Sequence, residues 1–280
     1  MKSKDELAAE QAAYWNGPGG RMWLGAYDRI QRGIAGFSQI ALEAAGARPG
    51  ERVLEVGCGT GGTTAEIARS VGTGGQVLGV DISEILVGAA RAKNLDNTRF
   101  EVGDAATYRF QPDTFDLAFS RFGVMFFADP VAAFRNVRRA MKTTGRLVFI
   151  CWRTPQENPW AAVPMRAAQP FLPPMERPGP EDPGQYSFGD RARVERILTQ
   201  AGFAGLSIEP VDLMLNQGKD IPDVLQRIGD FGPLARAFKD VAPEQVAKAK
   251  AAIGEALKPH VTPEGVKLAG ACWLVRARAS

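Results

Sequence analysis

Residues 54–64, LEVGCGTGGTT, run from an apolar strand pattern into a glycine cluster and on into helix-forming sequence. The cluster at 57–62, GCGTGG, matches G-x-G-x-x-G. Glycines at that spacing permit a tight turn and let a ligand approach the backbone, provided a strand precedes and a helix follows. Both conditions hold here. Arg52–Val56 reads as a buried strand, and Thr63–Val71 as a helix with Thr63 or Thr64 as its cap. The next apolar run, Gln76–Ile82, contains Asp81, 24 residues beyond Gly57. A carboxylate at that strand end can accept hydrogen bonds from both hydroxyls of a ribose. Two nucleoside cofactors fit the layout, a nicotinamide dinucleotide and S-adenosylmethionine. The plainer alternative is a glycine turn that only packs the helix.

Outward from the loop, strand and helix patterns alternate. Ser83–Lys93 reads as a helix capped by Ser83, and Thr98–Val102, Phe115–Ser120 and Gly145–Trp152 read as strands. Between the last two, Val131, Phe134, Val137 and Met141 form one helix face; Arg135, Arg138, Arg139 and Lys142 form another. Such alternation implies a parallel sheet covered on both sides. Residues 153–189 hold nearly half of the chain's 19 prolines and read as a long irregular excursion, a lid or binding loop. Asp190–Gln200 returns to helix with Asp190 as cap, and Leu206–Val211 is a strand. Residues 220–258 read as mainly helical, with Pro222 and Pro243 near helix starts. Ala271–Ala277 closes the chain as a strand.

Composition narrows the function. A chain of 280 residues buries roughly three quarters of its unfolded surface, and 45% hydrophobic with 23% charged residues is ordinary globular usage. A net charge of +3 argues against nucleic acid or an anionic membrane as main partner. The basic face at 135–142 reads as solvated rather than RNA-binding. No run of about 18 apolar residues suggests a membrane span, and MKSKDELAAE lacks the apolar core of a secretion signal, so a cytoplasmic protein is expected. Cys58, Cys151 and Cys272 fit neither a disulfide framework nor a metal site.

Glu55 discriminates between the two cofactors. It lies near the place where a dinucleotide's pyrophosphate would rest, and would repel it. S-adenosylmethionine has no phosphate and carries a sulfonium and an ammonium, which a carboxylate favours. The alternative for Glu55 is to face away and pair with Arg52 or the first helix. No Tyr-x-x-x-Lys pair supports a nicotinamide-dependent oxidoreductase, and a non-catalytic adenosyl-ligand binding protein is the remaining rival.

The stretch LEVGCGTGGTT with GVDIS at 79–83 and GDAATYRF at 103–110 resembles class I S-adenosylmethionine-dependent methyltransferases. SRFGVMFFADPVAAFRNVRRA at 120–140 and GRLVFICWR at 145–153 are similar to a bacterial small-molecule group, of the ubiquinone/menaquinone methyltransferase kind. The likeness extends to YWNGPGGRMW at 14–23, ENPW at 157–160 and the closing GVKLAGACWLVRAR. It implies a Rossmann-like α/β fold with a seven-stranded mixed sheet, its last strand antiparallel, and helical cap insertions. One methyltransferase domain would span 1–280, with a helical cover at 1–48 and a cofactor-binding core at 49–152. Segments 153–189 and 212–266 would form an acceptor-side cap.

The resemblance also assigns roles. Gly57, Gly59 and Gly61, with Thr60 and Glu55, would line the methionine and ribose side, and Trp15 would lie over the cofactor. Asp81 would hold the ribose, Ile82 the adenine, and Asp104 with Ala105 the adenine's amino group. The rival for Asp104 is a turn-former. Ser120 and Arg121 would stand at the methionine end. Methyl transfer needs alignment and exclusion of water more than a protein nucleophile, so no catalytic residue is assigned. His260, Tyr27, Asp28 and Tyr186 are conceivable bases without distinguishing features, and His260 reads as a surface residue. Phe122, Met125 and Phe126 lie at the carboxyl end of the sheet. With Trp23 and Trp152 they are candidate acceptor residues, joined by Tyr14, Met22 and Trp160. Residues 16–20, NGPGG, read as a flexible turn able to close over the cofactor. The expected partner is a small apolar or aromatic acceptor, and the chain a monomer or homodimer.

Overall fold

A computed structural model describes residues 2–93, 95–174, 179, 181–230, 233–239 and 241–279. Four helices come first: α1 (Lys4–Trp15), α2 (Pro18–Gly25), α3 (Tyr27–Gly33) and α4 (Ala35–Ala45). The core then alternates β1 (Arg52–Val56), α5 (Gly62–Val71), β2 (Gln76–Asp81), α6 (Glu84–Arg91), β3 (Thr98–Val102), β4 (Phe115–Arg121), α7 (Pro130–Ala140) and β5 (Met141–Trp152). Beyond it run α8 (Pro159–Ala168), α9 (Arg191–Gln200), β6 (Ala204–Gly218), α10 (Ile221–Arg227), α11 (Pro233–Phe238), α12 (Pro243–Leu257), β7 (Val261–Thr262) and β8 (Gly265–Arg278).

The strands form one sheet in the order β3-β2-β1-β4-β5-β8-β6, with β7 paired to β8 alone. Strands β1 to β5 are mutually parallel, and β8 runs antiparallel between β5 and β6. The expected seven-stranded mixed sheet is therefore present, and two-residue β7 adds an eighth strand. The chain leaves β1 for β2 and β3 on one side, then returns to β4 on the other. Such a reversal opens a crevice at the carboxyl ends of β1 and β4, where α/β sheets bind ligands.

Burial on both faces explains the continuous apolar runs of the central strands. Val53, Leu54, Leu117, Ala118, Phe119, Val148, Phe149 and Ile150 are all buried. Helix α7 is capped by Asp129, whose carboxylate accepts from the Ala132 N–H at 3.1 Å, and begins at Pro130. It buries Phe134 and Val137 as expected, but Val131 is only half-buried and Met141 already belongs to β5.

Four expectations need correction. Thr63 and Thr64 do not cap α5; Gly61 does, in the left-handed conformation and without a side-chain bond. Residues 16–20 are no free turn, because Asn16 ends α1 and Pro18 begins α2. The excursion 153–189 contains the helix α8, with Pro164 inside it; its residues 175–178 and 180 lie outside the described residues, as do 231, 232 and 240 of the stretch 220–258. Strand β6 also continues to Gly218, well past Val211.

Helix α8 shares a second apolar cluster with the later helices, formed by Ala168, Val224, Leu234, Ala249, Ile253 and Leu257 together with Val266 and Leu268 of β8. Asn158 fastens this unit to the sheet. Fully buried, its Nδ2 donates to the Thr154 and Ala271 carbonyls at 3.0 and 3.1 Å, and its Oδ1 accepts from the Ala271 N–H at 2.9 Å. Asn158→Ala leaves the Ala271 N–H without its acceptor in the interior, while the Ala271 carbonyl keeps the Arg153 N–H at 3.0 Å. The substitution is expected to lower unfolding free energy by about 2–3 kcal/mol, read as a fall in the urea midpoint; an unchanged midpoint would contradict this role.

Candidate cofactor and acceptor site

The switch-point loop is shaped by positive φ at Gly57, Gly59 and Gly61 (72°, 53° and 72°). Gly57 is the least replaceable, because a Cβ there would stand 2.8 Å from Gly123 Cα, on the loop that follows β4. Asp81 ends β2 beside this loop. Its Oδ2 accepts from the Gly59 N–H at 2.8 Å, and its Oδ1 from the Ser83 N–H at 2.9 Å. Each oxygen keeps a second lone pair for another donor. Burial raises the Asp81 carboxyl above its ordinary value, against these backbone bonds, which lower it.

Glu55 is buried completely in β1. The Thr63 and Thr64 hydroxyls donate one to each of its carboxylate oxygens. Both oxygens thus serve α5, the helix that follows the glycine loop, which is the alternative weighed for this residue from sequence. Thr60 and Ser120 are buried as well, and their hydroxyl oxygens have no partner. Asp104 accepts from the Ala106 N–H at 2.8 Å, a turn-forming bond, while Ala105 is buried with its carbonyl accepting from Asn136.

The N-terminal helices lie across this crevice. Asn16 donates to the Ile82 carbonyl at 2.9 Å and accepts from the Glu84 N–H at 2.8 Å. Ser83, which caps α6 as expected, donates its hydroxyl to the Trp15 carbonyl at 2.7 Å. The Trp15 ring meets Trp23 and Phe126 edge-on, at 6.1 and 5.0 Å between centroids. Trp23 overhangs Gly59, its Nε1 3.9 Å from where a Cβ would stand. On the other side of β4, Phe122 stacks on Trp152 at 4.7 Å and 14°, with Phe37 and Trp160 on the same indole at 5.4 and 4.9 Å. Phe122 holds φ at +60°, a conformation that side chains other than glycine rarely adopt.

Not all expected residues converge. Met125 is buried, with its sulfur accepting from the Trp152 N–H at 3.4 Å and its carbonyl from Ser187, so it packs in the core. Tyr186 is a poor base, since burial raises its phenol further. His260 sits in the turn between α12 and β7. Sequence reasoning missed Gln31, Phe37 and Ser38, and gave Asn16 and Gly123 no role of their own although both lie in quoted stretches, 16–20 and 120–140. The helix patterns around Gln31, Phe37 and Ser38 carry no signal of what they touch, while Gly123, the fourth residue of the stretch quoted at 120–140, was legible as a second close-approach glycine.

The chain resembles known proteins in sequence and in fold. A methyltransferase domain family model matches residues 47–172. The demethylmenaquinone methyltransferase of Beutenbergia cavernae is 31% identical over 178 residues, covering 61% of this chain and 72% of the relative. The ubiquinone/menaquinone biosynthesis C-methyltransferase of Teredinibacter turnerae is 29% identical over 181 residues, 60% and 73% of the two chains. The crystal structure of the YcgJ protein from Bacillus subtilis shares the fold with a TM-score of 0.56 at 17% identity, over 86% of this chain and 97% of that one. This chain belongs to the class I S-adenosylmethionine-dependent methyltransferases. It is an enzyme with S-adenosylmethionine as cofactor, which sets aside the nicotinamide and non-catalytic alternatives. No helix among the described residues is long and apolar enough to cross a membrane.

Desolvation pushes the Glu55 carboxyl up to about 7 from 4.5, although the two threonine hydroxyls and Arg121 pull it down. Between those values the folded protein holds a proton that the unfolded chain has released. Stability therefore falls as pH rises through that window and levels off above it. The full difference is about 3 kcal/mol. Glu55→Gln has no such proton, so the stability of the wild type relative to the variant should drop by that amount between pH 4.5 and 7.5. Chemical denaturation across this range measures it, and a pH-independent difference would refute the buried-carboxyl account.

Proposed function

We propose that the enzyme moves a methyl group to an O, N or C atom of a small acceptor that is apolar and aromatic. The observation that carries this reading is the aromatic cluster beside the carboxyl end of β4, in which buried Phe37, Phe122 and Trp152 back the half-buried Trp160. The names of the relatives support an aromatic acceptor too, since demethylmenaquinone appears in one of them. A hydroxylated aromatic ring is the acceptor form to test first.

The cofactor fits the residues present. Asp81 has free lone pairs for ribose hydroxyls, the glycines leave the loop backbone open to close approach, and two buried hydroxyls, on Thr60 and Ser120, have no protein partner. In this reading Gly57, Gly59, Gly61 and Thr60 line the methionine and ribose, while Ile82, Asp104 and Ala105 surround the adenine. Ser120 and Arg121 flank the methionine end, near Glu55. Trp15 and Trp23 cover the site from above and exclude water, and Phe122, Phe126 and Trp152 orient the acceptor. S-adenosylmethionine, when bound, supplies a methyl carbon already activated by its sulfonium. The protein's task is alignment, with segments 1–48, 153–189 and 212–266 enclosing the acceptor side. A base is needed only for an acceptor that is protonated at working pH.

Transfer of labelled methyl across catechols, hydroquinones, hydroxybenzoates and apolar amines tests the acceptor class. Turnover of aromatic members is expected; turnover of only highly charged, non-aromatic acceptors would overturn it. Asp81→Ala should weaken S-adenosylhomocysteine binding by about 2–3 kcal/mol, roughly 30- to 150-fold. Calorimetric titration of a folded variant with wild-type affinity would show that the ribose lies elsewhere.

A further inference from the structure

Arg121 ends β4 at the switch point with its guanidinium withdrawn from solvent. Among the described residues no carboxylate lies within 4.0 Å of it. Its hydrogen bonds run through Nη1 alone, to Gln31 Oε1 of α3 at 2.6 Å and Ser38 Oγ of α4 at 2.9 Å. Both acceptors are neutral. Glu55, Tyr27 and Glu66 act on the guanidinium only through their charge, and the oxygens of Glu55 are engaged by Thr63 and Thr64. A desolvated cation without an anion is costly, and folded proteins rarely leave one so.

Gln31 adds a second, independent sign. A guanidinium has no acceptor, so the amide must turn its oxygen to Arg121 and its Nε2 away. That Nε2 is buried and has no partner. The amide oxygen faces Gly62, the first residue of α5, whose opening N–H groups favour negative charge. An arginine with Nε and Nη2 unused and an amide with a free N–H₂ thus lie side by side at the switch point.

We propose that Arg121 and Gln31 together form a receptor for a carboxylate or phenolate oxygen. The inference rests on the methyltransferase reading of the site. Such an oxygen can come from the amino-acid end of the cofactor or from an ionised group on the acceptor. Arginine suits either, because its planar fork can bind two oxygens at once, which lysine cannot do. Ser38 holds the fork in place, and its neighbour Phe37 joins the aromatic cluster, so the receptor borders the proposed acceptor site.

Calorimetry on the full chain separates the sources. Wild type, Arg121→Met and Arg121→Lys are titrated with S-adenosylhomocysteine and with 5′-methylthioadenosine, which lacks the amino-acid carboxylate. Each protein saturated with S-adenosylhomocysteine is then titrated with benzoate and with benzyl alcohol. If the cofactor supplies the oxygen, Arg121→Met binds S-adenosylhomocysteine at least tenfold more weakly and methylthioadenosine as before. If the acceptor supplies it, benzoate binding is lost while S-adenosylhomocysteine and benzyl alcohol are unaffected. Arg121→Lys falls between in the affected arm. Wild-type affinity of a folded Arg121→Met for all four probes would overturn the proposal. Should that variant fail to fold, Gln31→Leu is read in the same four titrations, and unchanged affinities overturn it equally. Failure of the wild type to bind S-adenosylhomocysteine would instead strike at the cofactor site itself.

Discussion

The architecture turns on a contact between two glycines. Gly57 leaves β1 and Gly123 follows β4, and their backbones pack so closely that a Cβ on either would stand 2.8–2.9 Å from the other's Cα. The strands diverge in connectivity at this point, so their outgoing loops must separate immediately or collide. Gly57 turns with φ at +72° toward α5. On the β4 side the turn falls on Phe122, at φ +60°, one residue before Gly123. A left-handed phenylalanine costs about 1–2 kcal/mol. The cost is offset by what the turn delivers, since it lays the Phe122 ring flat on Trp152. One steric constraint therefore sets both the glycine loop and the aromatic cluster.

The N-terminal cover is fastened at the neighbouring turn, between β2 and α6. Asn16 meets the β2–α6 turn through that turn's backbone groups, and Ser83 adds its own hydroxyl, donated to the Trp15 carbonyl. Lys4 reaches Asp129 at the start of α7, at 2.5 Å. Arg29 pairs with Asp230 at 2.9 Å, and Arg236 lies over the Tyr14 ring, so the cover also touches the later helical insertion. These exposed pairs contribute little stability each. The backbone bonds and the Trp15–Trp23–Phe126 cluster hold the cover down, and the charges fix which helices it meets.

Sequence was most informative where structure is local. Strands β1 and β3 fall on the expected residues, and Ser83 and Asp190 cap the helices assigned to them. Helix α8 was lost because Pro164 interrupts a helix whose packing partner, α12, lies some 80 residues away. Thr63 and Thr64 look like caps by type and place. Their hydroxyls instead meet a buried carboxylate that only the strand–helix crossing brings within reach. Gln31 and Ser38 lie 90 and 83 residues before Arg121, on helices whose patterns announce only packing. What sequence could not show is which polar residues of the cover meet the core, since that depends on the docking of whole helices.

Glu55 and Arg121 pose a last physical question, because two opposite charges lie near one another and do not pair. Pairing would satisfy both and leave the crevice electrically inert. Each instead leans on neutral groups, the carboxylate on two hydroxyls and the guanidinium on an amide and a hydroxyl. Burial acts on both in the direction of discharge, raising the acid to about 7 and lowering the base. Only one of them can respond at ordinary pH, since the guanidinium stays charged. Glu55 can therefore shed its charge without moving, and Arg121 must be answered by an anion from outside. The arrangement keeps a positive charge facing the crevice at little structural cost, because the hydroxyls can turn to suit either state of Glu55. An anionic group entering beside Arg121 meets a cation already oriented by Gln31 and Ser38, so little reorganisation opposes its arrival.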